Sequence, residues 1–169
     1  MKTTLLSIFL SAIMLTASST GTFAQKSGDE AAIQRVLQES RDAFGKRDLA
    51  GFARCFVQSP DLYYQVMTAD GQLIMAQGWE AMNHMVGGHM KNDPDAFKGT
   101  HTVSDSKITI KGNTAWVHLT SHWNIPGQPG TSRDLLILEK QAANGSSPQW
   151  KIAALTTQNY ADGKLAVVK

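Results

Sequence analysis

The feature that most constrains this fold is a period-two alternation of apolar and polar side chains between residues 100 and 160. Such alternation is typical of half-buried antiparallel strands, in which successive side chains point to opposite faces. Segments rich in Gly, Asn and Pro separate the alternating runs and favour turns. The strands that this pattern predicts are Thr100–Lys111, Thr114–Ile125, Arg133–Gln141 and Gln149–Tyr160. The second half of the chain is therefore predicted to form a long antiparallel meander.

The first half of the chain shows helical periodicity instead. Ser27 and Glu30 fit a capping box at the start of a first amphipathic helix. A short second helix is expected after Asp48, which can act as its N-cap. A third helix contains the pair Gly87-Gly88, and because each glycine disfavours a helix, we expect a kink or an early end there.

Two short apolar runs lie between the second and third predicted helices. Leu62–Met67 and Leu73–Ala76 are rich in aromatic and aliphatic residues, and Ala69-Asp70-Gly71 between them favours a tight turn. They predict a β-hairpin. The predicted order is helix, helix, hairpin, helix and meander, which is an α+β domain.

The N-terminus has the pattern of a signal peptide. Lys2 precedes an apolar run from Leu5 to Leu15, and the small residues of Thr22-Phe23-Ala24 suit a signal peptidase. The run is too short to cross about 30 Å of hydrocarbon, so we expect no stable membrane insertion after cleavage. We therefore expect residues 1–24 to be a signal peptide, residues 25–169 to form the single mature domain, and the protein to be periplasmic or secreted.

The composition excludes several classes of partner and cofactor. Without residues 1–24 the chain keeps 15 basic and 14 acidic residues, which gives no electrostatic footprint for nucleic acid. The only cysteine, Cys55, cannot form an internal disulfide. His118 and His122 of one predicted strand lie about 13 Å apart at ~3.3 Å per residue, too far to share a metal ion. We expect neither a metal nor a cofactor.

Four segments in this order resemble the nuclear transport factor 2-like (SnoaL-like, ketosteroid isomerase-like) superfamily. The segments read AFGKRDLAGFARCF, DLYYQVMTADGQLIMAQGWEAM, GNTAWVHL and WKIAAL, and together they span nearly all of the predicted mature chain. The resemblance implies a cone-shaped, strongly bent antiparallel sheet. It also implies three helices that cover the concave face, an apolar pocket inside the cone, and a convex face that often forms a dimer.

The predicted pocket lies between the third helix and alternate residues of the strands. A helix can bury its apolar stripe only against the concave face of the sheet. Tyr63 and Tyr64 point to opposite faces, and the sequence leaves open which of them enters the cavity. The residues predicted to bind a ligand are Tyr63, Trp79, Met82, Met85, His89, Ser121, Trp123 and Thr156.

Besides a purely assembling dimer with a filled pocket, the residues leave two functions open. One is a binding module that holds a small, largely apolar molecule. The other is an isomerase, dehydratase or hydrolase that uses a pocket histidine as acid or base, for which His89, His101 and Tyr63 are the candidates. The resemblance implies a histidine or acid just after Trp-Lys-Ile, yet Ala154 and Thr156 stand there. No carboxylate is assigned to the cavity, so the binding module is favoured and catalysis is left undecided.

The convex sheet face is predicted to form a homodimer. On the strand Thr114–Ile125, Trp116 shares one face with His118 and Thr120, opposite the more apolar set. A tryptophan among polar neighbours makes sense if a partner covers it.

Overall fold

A computed structural model describes residues 20–92, 99–125, 128–143 and 146–161, together with residues 165, 166 and 168. The helices are α1 (Thr20–Gly45), α2 (Leu49–Arg54) and α3 (Trp79–Asn92). The strands are β1 (Tyr63–Met67), β2 (Leu73–Gln77), β3 (Thr100–Lys111), β4 (Thr114–Ile125), β5 (Gln128–Ala143) and β6 (Ser146–Tyr160). This order confirms the predicted α+β succession of elements. Residues 1–19 of the predicted signal peptide lie outside the described residues.

The six strands form one open sheet in the order β2-β1-β6-β5-β4-β3. β3 to β6 form the predicted antiparallel meander, and β1 and β2 form the predicted hairpin. However, β1 runs parallel to β6, so the sheet is mixed and not wholly antiparallel. The expectation of a wholly antiparallel sheet was wrong on this point. A hairpin makes two neighbouring strands antiparallel, but β1 and β6 are not joined by a hairpin, so the local sequence pattern does not fix their relative direction.

The helices pack on one face of the sheet, which we call the inner face. Ala115, Val117 and Leu119 of β4 are buried there, in one core with apolar residues of all three helices. Their neighbours Trp116 and His118 lie on the opposite, outer face, as period-two alternation requires. The predicted alternation of β4 is therefore confirmed.

A β-bulge changes the alternation of β6. Ile137 of β5 pairs with Ala154, but the next residue, Leu138, pairs with Ile152, so Ala153 is an extra residue. Beyond the bulge, Leu155 lies on the same inner face as Ile152. Uninterrupted alternation would put Thr156 on the same face as Ile152, and the prediction of Thr156 as a pocket residue rests on that alternation, which the bulge interrupts.

The structure corrects two details of the helices. Ser27 lies inside α1 and not at its start, because the helix already includes Thr20. The early end that was one of the two possibilities at Gly87-Gly88 does not occur, because α3 continues to Asn92. A Cβ atom at Gly87 would stand 3.0 Å from the Leu49 Cδ2 atom of α2, so the glycine permits close approach of α2 and α3.

A buried ion pair fastens α1 to the sheet. Asp29 of α1 accepts hydrogen bonds from Lys140 Nζ of β5 at 2.7 Å and from Trp150 Nε1 of β6 at 3.0 Å. The Lys140 ammonium also lies 5.7 Å from the centre of the Trp150 ring. We call these three residues the Asp29 clamp. Among the described residues, no helix is both long enough and apolar enough to span a membrane.

Candidate functional site

A cavity of about 150 Å³ lies between α1, α2 and the inner face of the sheet. A dry cavity of this size accepts a benzene ring in another protein. Much of its wall is aliphatic or aromatic: Leu37, Phe44, Phe52, Phe56, Leu119 and Leu136. The polar residues in the wall include Arg41, Tyr64, His101, Ser121, Asp134 and Thr157. The cavity therefore combines an apolar body with a few convergent polar groups, the usual constitution of a small-molecule site.

Asp134 of β5 is the carboxylate of the cavity, and it is only 7% exposed. Ser121 donates to its Oδ2 atom at 2.5 Å, and Ser132 donates to its Oδ1 atom at 2.9 Å. Thr157, its register partner on β6, adds a further interaction. Burial raises the pKa of Asp134 above its ordinary value, although these hydroxyl groups and Arg133 oppose the rise.

Tyr64 of β1 lies in the same wall, on the inner face. Burial and the negative charge of Asp134 raise the pKa of the Tyr64 phenol to about 12. Tyr64 is therefore a protonated hydrogen-bond donor at neutral pH. Its hydroxyl makes no hydrogen bond within the part of the chain that the structure describes.

His101 at the start of β3 stacks on Trp123 of β4. Their rings are nearly parallel at 2°, with centres 3.8 Å apart. Burial, with the positive charges of Arg41 and His122, lowers the pKa of His101 to about 4, so the ring is neutral at pH 7. Its Nε2 atom is buried and has no hydrogen-bond partner among the described residues. Such an atom is costly to leave unsatisfied, and a bound molecule can satisfy it.

Arg41 brings a positive charge from α1 to the cavity. It lies one turn after Leu37 and three residues before Phe44, both of which line the same cavity. Its Nη2 atom donates to Gln38 Oε1 at 2.8 Å, and burial lowers its pKa from the ordinary value. No carboxylate within the described ranges forms an ion pair with it.

Three of the residues predicted from the sequence line this cavity. For two others, Tyr63 and Thr156, the next residue in the sequence lines it instead. Ser121, Trp123 and the candidate base His101 line the wall. Tyr64 enters the cavity, whereas Tyr63 lies on the outer face and donates to Gln65 Oε1 at 2.6 Å. Thr157 lines the wall in place of Thr156 because the bulge at Ala153 reverses the alternation of β6. The ligand-binding roles of these residues stay predictions.

The third-helix residues predicted for the pocket lie elsewhere. Met82 is fully buried in the core, and Trp79 and Met85 pack against that core. His89 is exposed, and its ring stacks on Phe44 with ring centres 6.2 Å apart. Phe44 lines the cavity, whereas His89 does not. The reason is that α3 packs on α2 and β2, while α1 and α2 cover the middle of the sheet.

The two charged residues of the cavity were not predicted from the sequence. Asp134 follows the alternation of Leu136 and Leu138, both buried on the inner face, and this phase could have placed it there. Arg41 stands at helical spacing from Leu37, which is buried, and this spacing could have placed it at the cavity. Among the described residues, no three His, Cys, Asp or Glu side chains form a group that could hold a metal ion.

No protein-family model matches the chain, and no curated protein matches it. Solved structures do. A protein of unknown function from Mycobacterium tuberculosis superposes with a TM-score of 0.66 at 21% identity, covering 89% of this chain and 84% of its own. An NTF2-like protein of unknown function from Pseudomonas putida KT2440 gives 0.67 at 15% identity, covering 85% and 97%. An NTF2-like protein with a cystatin-like fold from Novosphingobium aromaticivorans gives 0.67 at 16% identity, covering 89% and 94%. These likenesses confirm the expected NTF2-like fold.

Proposed function

We propose that the cavity binds a small, largely apolar organic molecule that also makes a few hydrogen bonds. The observation that carries the proposal is the apolar cavity of about 150 Å³ in which His101 Nε2 is buried without a partner among the described residues. A ring in an apolar cavity gains dispersion contacts with the wall, and a hydrogen bond to a buried nitrogen offsets the cost of leaving it unsatisfied. A ligand of one ring that hydrogen-bonds to His101 removes both penalties.

Two adjacent threonines provide a matched test. Thr157→Met directs a longer side chain into the cavity, whereas Thr156→Met places the same side chain on the outer face. Calorimetric titration with phenol and benzyl alcohol should show binding to the unmodified protein and to Thr156→Met, but not to Thr157→Met. No binding to the unmodified protein, or equal binding to both variants, contradicts the proposal.

Acid–base catalysis is the second candidate, because Asp134, Tyr64 and His101 line one cavity. In this reaction class Asp134 takes a proton from carbon next to a carbonyl group, and the protonated Tyr64 phenol donates to the developing oxyanion. Exchange of the α-protons of cyclohexanone in D₂O, followed by NMR, tests this without knowledge of the substrate. Acceleration that is lost in Asp134→Asn supports catalysis. Equal rates with the unmodified protein and with Thr157→Met would exclude it for this ketone.

We further propose that the protein is exported and that cleavage leaves Gln25 as its first residue. The support is the basic start, the apolar run and the small residues of Thr22-Phe23-Ala24. The intact mass of protein recovered from outside the cytoplasm should correspond to residues 25–169. A mass that includes Met1 would contradict the proposal.

A homodimer through the outer face is the last part of the proposal. Trp116 and Ile137 lie side by side in one row of paired residues that continues through Ala154 to Tyr63. Ile137 is 38% exposed and Met75 is 56% exposed. A partner that covers this row removes apolar surface from water. Light scattering should give twice the mass of one chain, and Trp116→Glu should give the mass of one chain; a monomeric unmodified protein contradicts the proposal.

A further inference from the structure

The cavity contains a positive charge that no carboxylate of the described residues contacts, although the charges of Asp42 and Asp134 act on it from a greater distance. Arg41 is half-buried, donates only to the neutral side chain of Gln38, and has no ion-pair partner within the described residues. Partial removal of a guanidinium group from water is unfavourable unless an anion compensates for it. The guanidinium plane also matches a carboxylate in geometry, because two parallel N–H groups can donate to its two oxygens.

The second unsatisfied group lies beside this charge. His101 is close enough to Arg41 for the guanidinium charge to act on its ring, and its buried Nε2 atom has no partner among the described residues. In the tautomer with a proton on Nε2, His101 offers a hydrogen-bond donor to a bound molecule that reaches this buried atom. In that tautomer Arg41 and His101 both present donors.

The carboxylate of the cavity has the opposite character. Both oxygens of Asp134 already accept hydroxyl hydrogen bonds, from Ser121 and Ser132. An anionic group on a ligand is repelled by Asp134 and attracted by Arg41, so the two residues orient a ligand that carries one negative charge. Phe52 and Leu136 of the same wall are apolar and suit a ring.

From these contacts we infer that the molecule bound is a single-ring carboxylic acid in its ionised form, with its carboxylate against Arg41 and His101 and its ring among the phenylalanines. The inference rests on the proposed binding function and adds the chemical class of the ligand. The cavity volume of about 150 Å³ limits the ligand to about one ring.

Benzoate, benzamide and benzyl alcohol, titrated by calorimetry at pH 7, test the inference, because they share a ring and differ in charge. The unmodified protein should bind benzoate about tenfold more tightly than benzamide, as expected for a partly desolvated charge-assisted pair. Arg41→Gln should remove that preference while it leaves the affinity for benzyl alcohol unchanged. Arg41→Lys should restore part of the preference.

Arg35→Gln is the matched control, since Arg35 is an exposed arginine of the same helix, and it should leave all three affinities unchanged. If the neutral probes bind as tightly as benzoate, or if Arg41→Gln leaves the ratio unchanged, the anionic class is wrong and the proposed binding function stands. If none of the three probes binds the unmodified protein, the proposed binding function fails and the inference fails with it.

Discussion

Two carboxylates are shielded between helix and sheet in this molecule, and their surroundings are opposite. Asp29 reaches from α1 to the sheet, with its side chain 14% exposed, and contacts an ammonium group and an indole N–H. Asp134 lies on the inner face at the cavity and contacts only hydroxyl groups. One carboxylate has a cation in contact, and the other has none.

The contrast in partners gives opposite pKa shifts. Burial raises the pKa of Asp29, but the hydrogen bonds from Lys140 and Trp150 and the charge of Lys140 outweigh it, so the net shift is downward. For Asp134 burial outweighs the hydroxyl donors, and the net shift is upward. An ammonium in contact favours the ionised form through its charge, whereas a hydroxyl group contributes only a hydrogen bond.

This difference separates a structural carboxylate from a functional one. The Asp29 clamp satisfies its charges internally, so it has no need of a ligand and stabilises the attachment of α1. Asp134 keeps a carboxylate at a cavity without a contacting cation, and burial raises its pKa above the ordinary value, as in many functional carboxyl groups. Two other groups of the cavity also lack a partner among the described residues: Arg41 has no contacting carboxylate, and the Nε2 atom of His101 has no hydrogen-bond partner.

The largest expected effect comes from the clamp. Asp29→Asn leaves the Lys140 ammonium, only 20% exposed, without its counter-charge. The free energy of unfolding at pH 7 should fall by about 2 kcal/mol, which is less than the roughly 3 to 5 kcal/mol for a fully buried pair because both groups stay partly exposed. Urea denaturation measures it. Since folding lowers the pKa of Asp29, its contribution is complete above its ordinary pKa of 3.8 and is lost as the pH falls through the folded value.

Glu39→Gln is the control for this prediction, because it removes one negative charge from an exposed position of the same helix. It should change the free energy of unfolding by no more than about 0.5 kcal/mol. Equal effects of the two variants would show that the Asp29 clamp is not a stabilising pair and would remove the comparison drawn here.

The next effect concerns the cavity histidine. The pKa of His101 is about 4 in the folded protein, against an ordinary 6.5. As the pH falls from 6.5 towards 4, the unfolded chain binds the proton first, so the free energy of unfolding decreases. His101→Phe keeps a ring against Trp123 and does not titrate. The variant should gain about 1 to 2 kcal/mol over the unmodified protein between pH 7.5 and 4.5, after allowance for solvent screening. A constant difference in urea midpoints would show that His101 is not held neutral.

The elements of the fold could be predicted because their patterns are long. Four runs of alternating apolar residues predicted β3 to β6, and an apolar stripe at helical spacing predicted α1. The spacing of the buried residues depends only on the local type of element, so it can be read from the sequence. The parallel direction of β1 relative to β6 could not be predicted from the sequence. It depends on which strands become neighbours in the folded sheet, and strands far apart in the chain carry no local signal of this.

The site was less predictable because it depends on single residues. The bulge at Ala153 shifts the alternation of β6 by one residue, so Thr157 and not Thr156 points to the cavity. Nothing in the sequence marks Ala153 as a bulge. The packing of α3 against α2 and β2 buries Met82 and Met90 but leaves His89 exposed, so His89 does not reach the cavity. Asp134 was overlooked because a carboxylate in a strand is usually exposed, yet its phase with Leu136 pointed inward.

A smaller effect, of opposite sign to that of Asp29, is expected for the second carboxylate. Because folding raises the pKa of Asp134, its ionised form costs stability above the folded pKa, and that cost disappears as the pH falls towards 3.8. The unmodified protein should therefore gain about 1 kcal/mol relative to Asp134→Asn between pH 7 and pH 4. Urea midpoints at four pH values give the slope. A slope with the sign expected for Asp29→Asn would show that hydroxyl groups alone stabilise the ionised form.

The smallest effect should distinguish the two hydroxyl groups that hold Asp134. Ser132 is fully buried, so Ser132→Ala leaves Oδ1 without its donor at 2.9 Å and should cost about 1 kcal/mol at pH 7. Ser121 is also fully buried but lines the cavity, from which a water molecule can replace its hydroxyl, so Ser121→Ala should cost about 0.5 kcal/mol or less. Both changes remove a donor to the ionised form and should raise the pKa of Asp134 further, as read from the pH slope against Asp134→Asn. A larger cost for Ser121→Ala would mean that water does not reach Asp134 through the cavity, and that this carboxylate is as closed to exchange as Asp29.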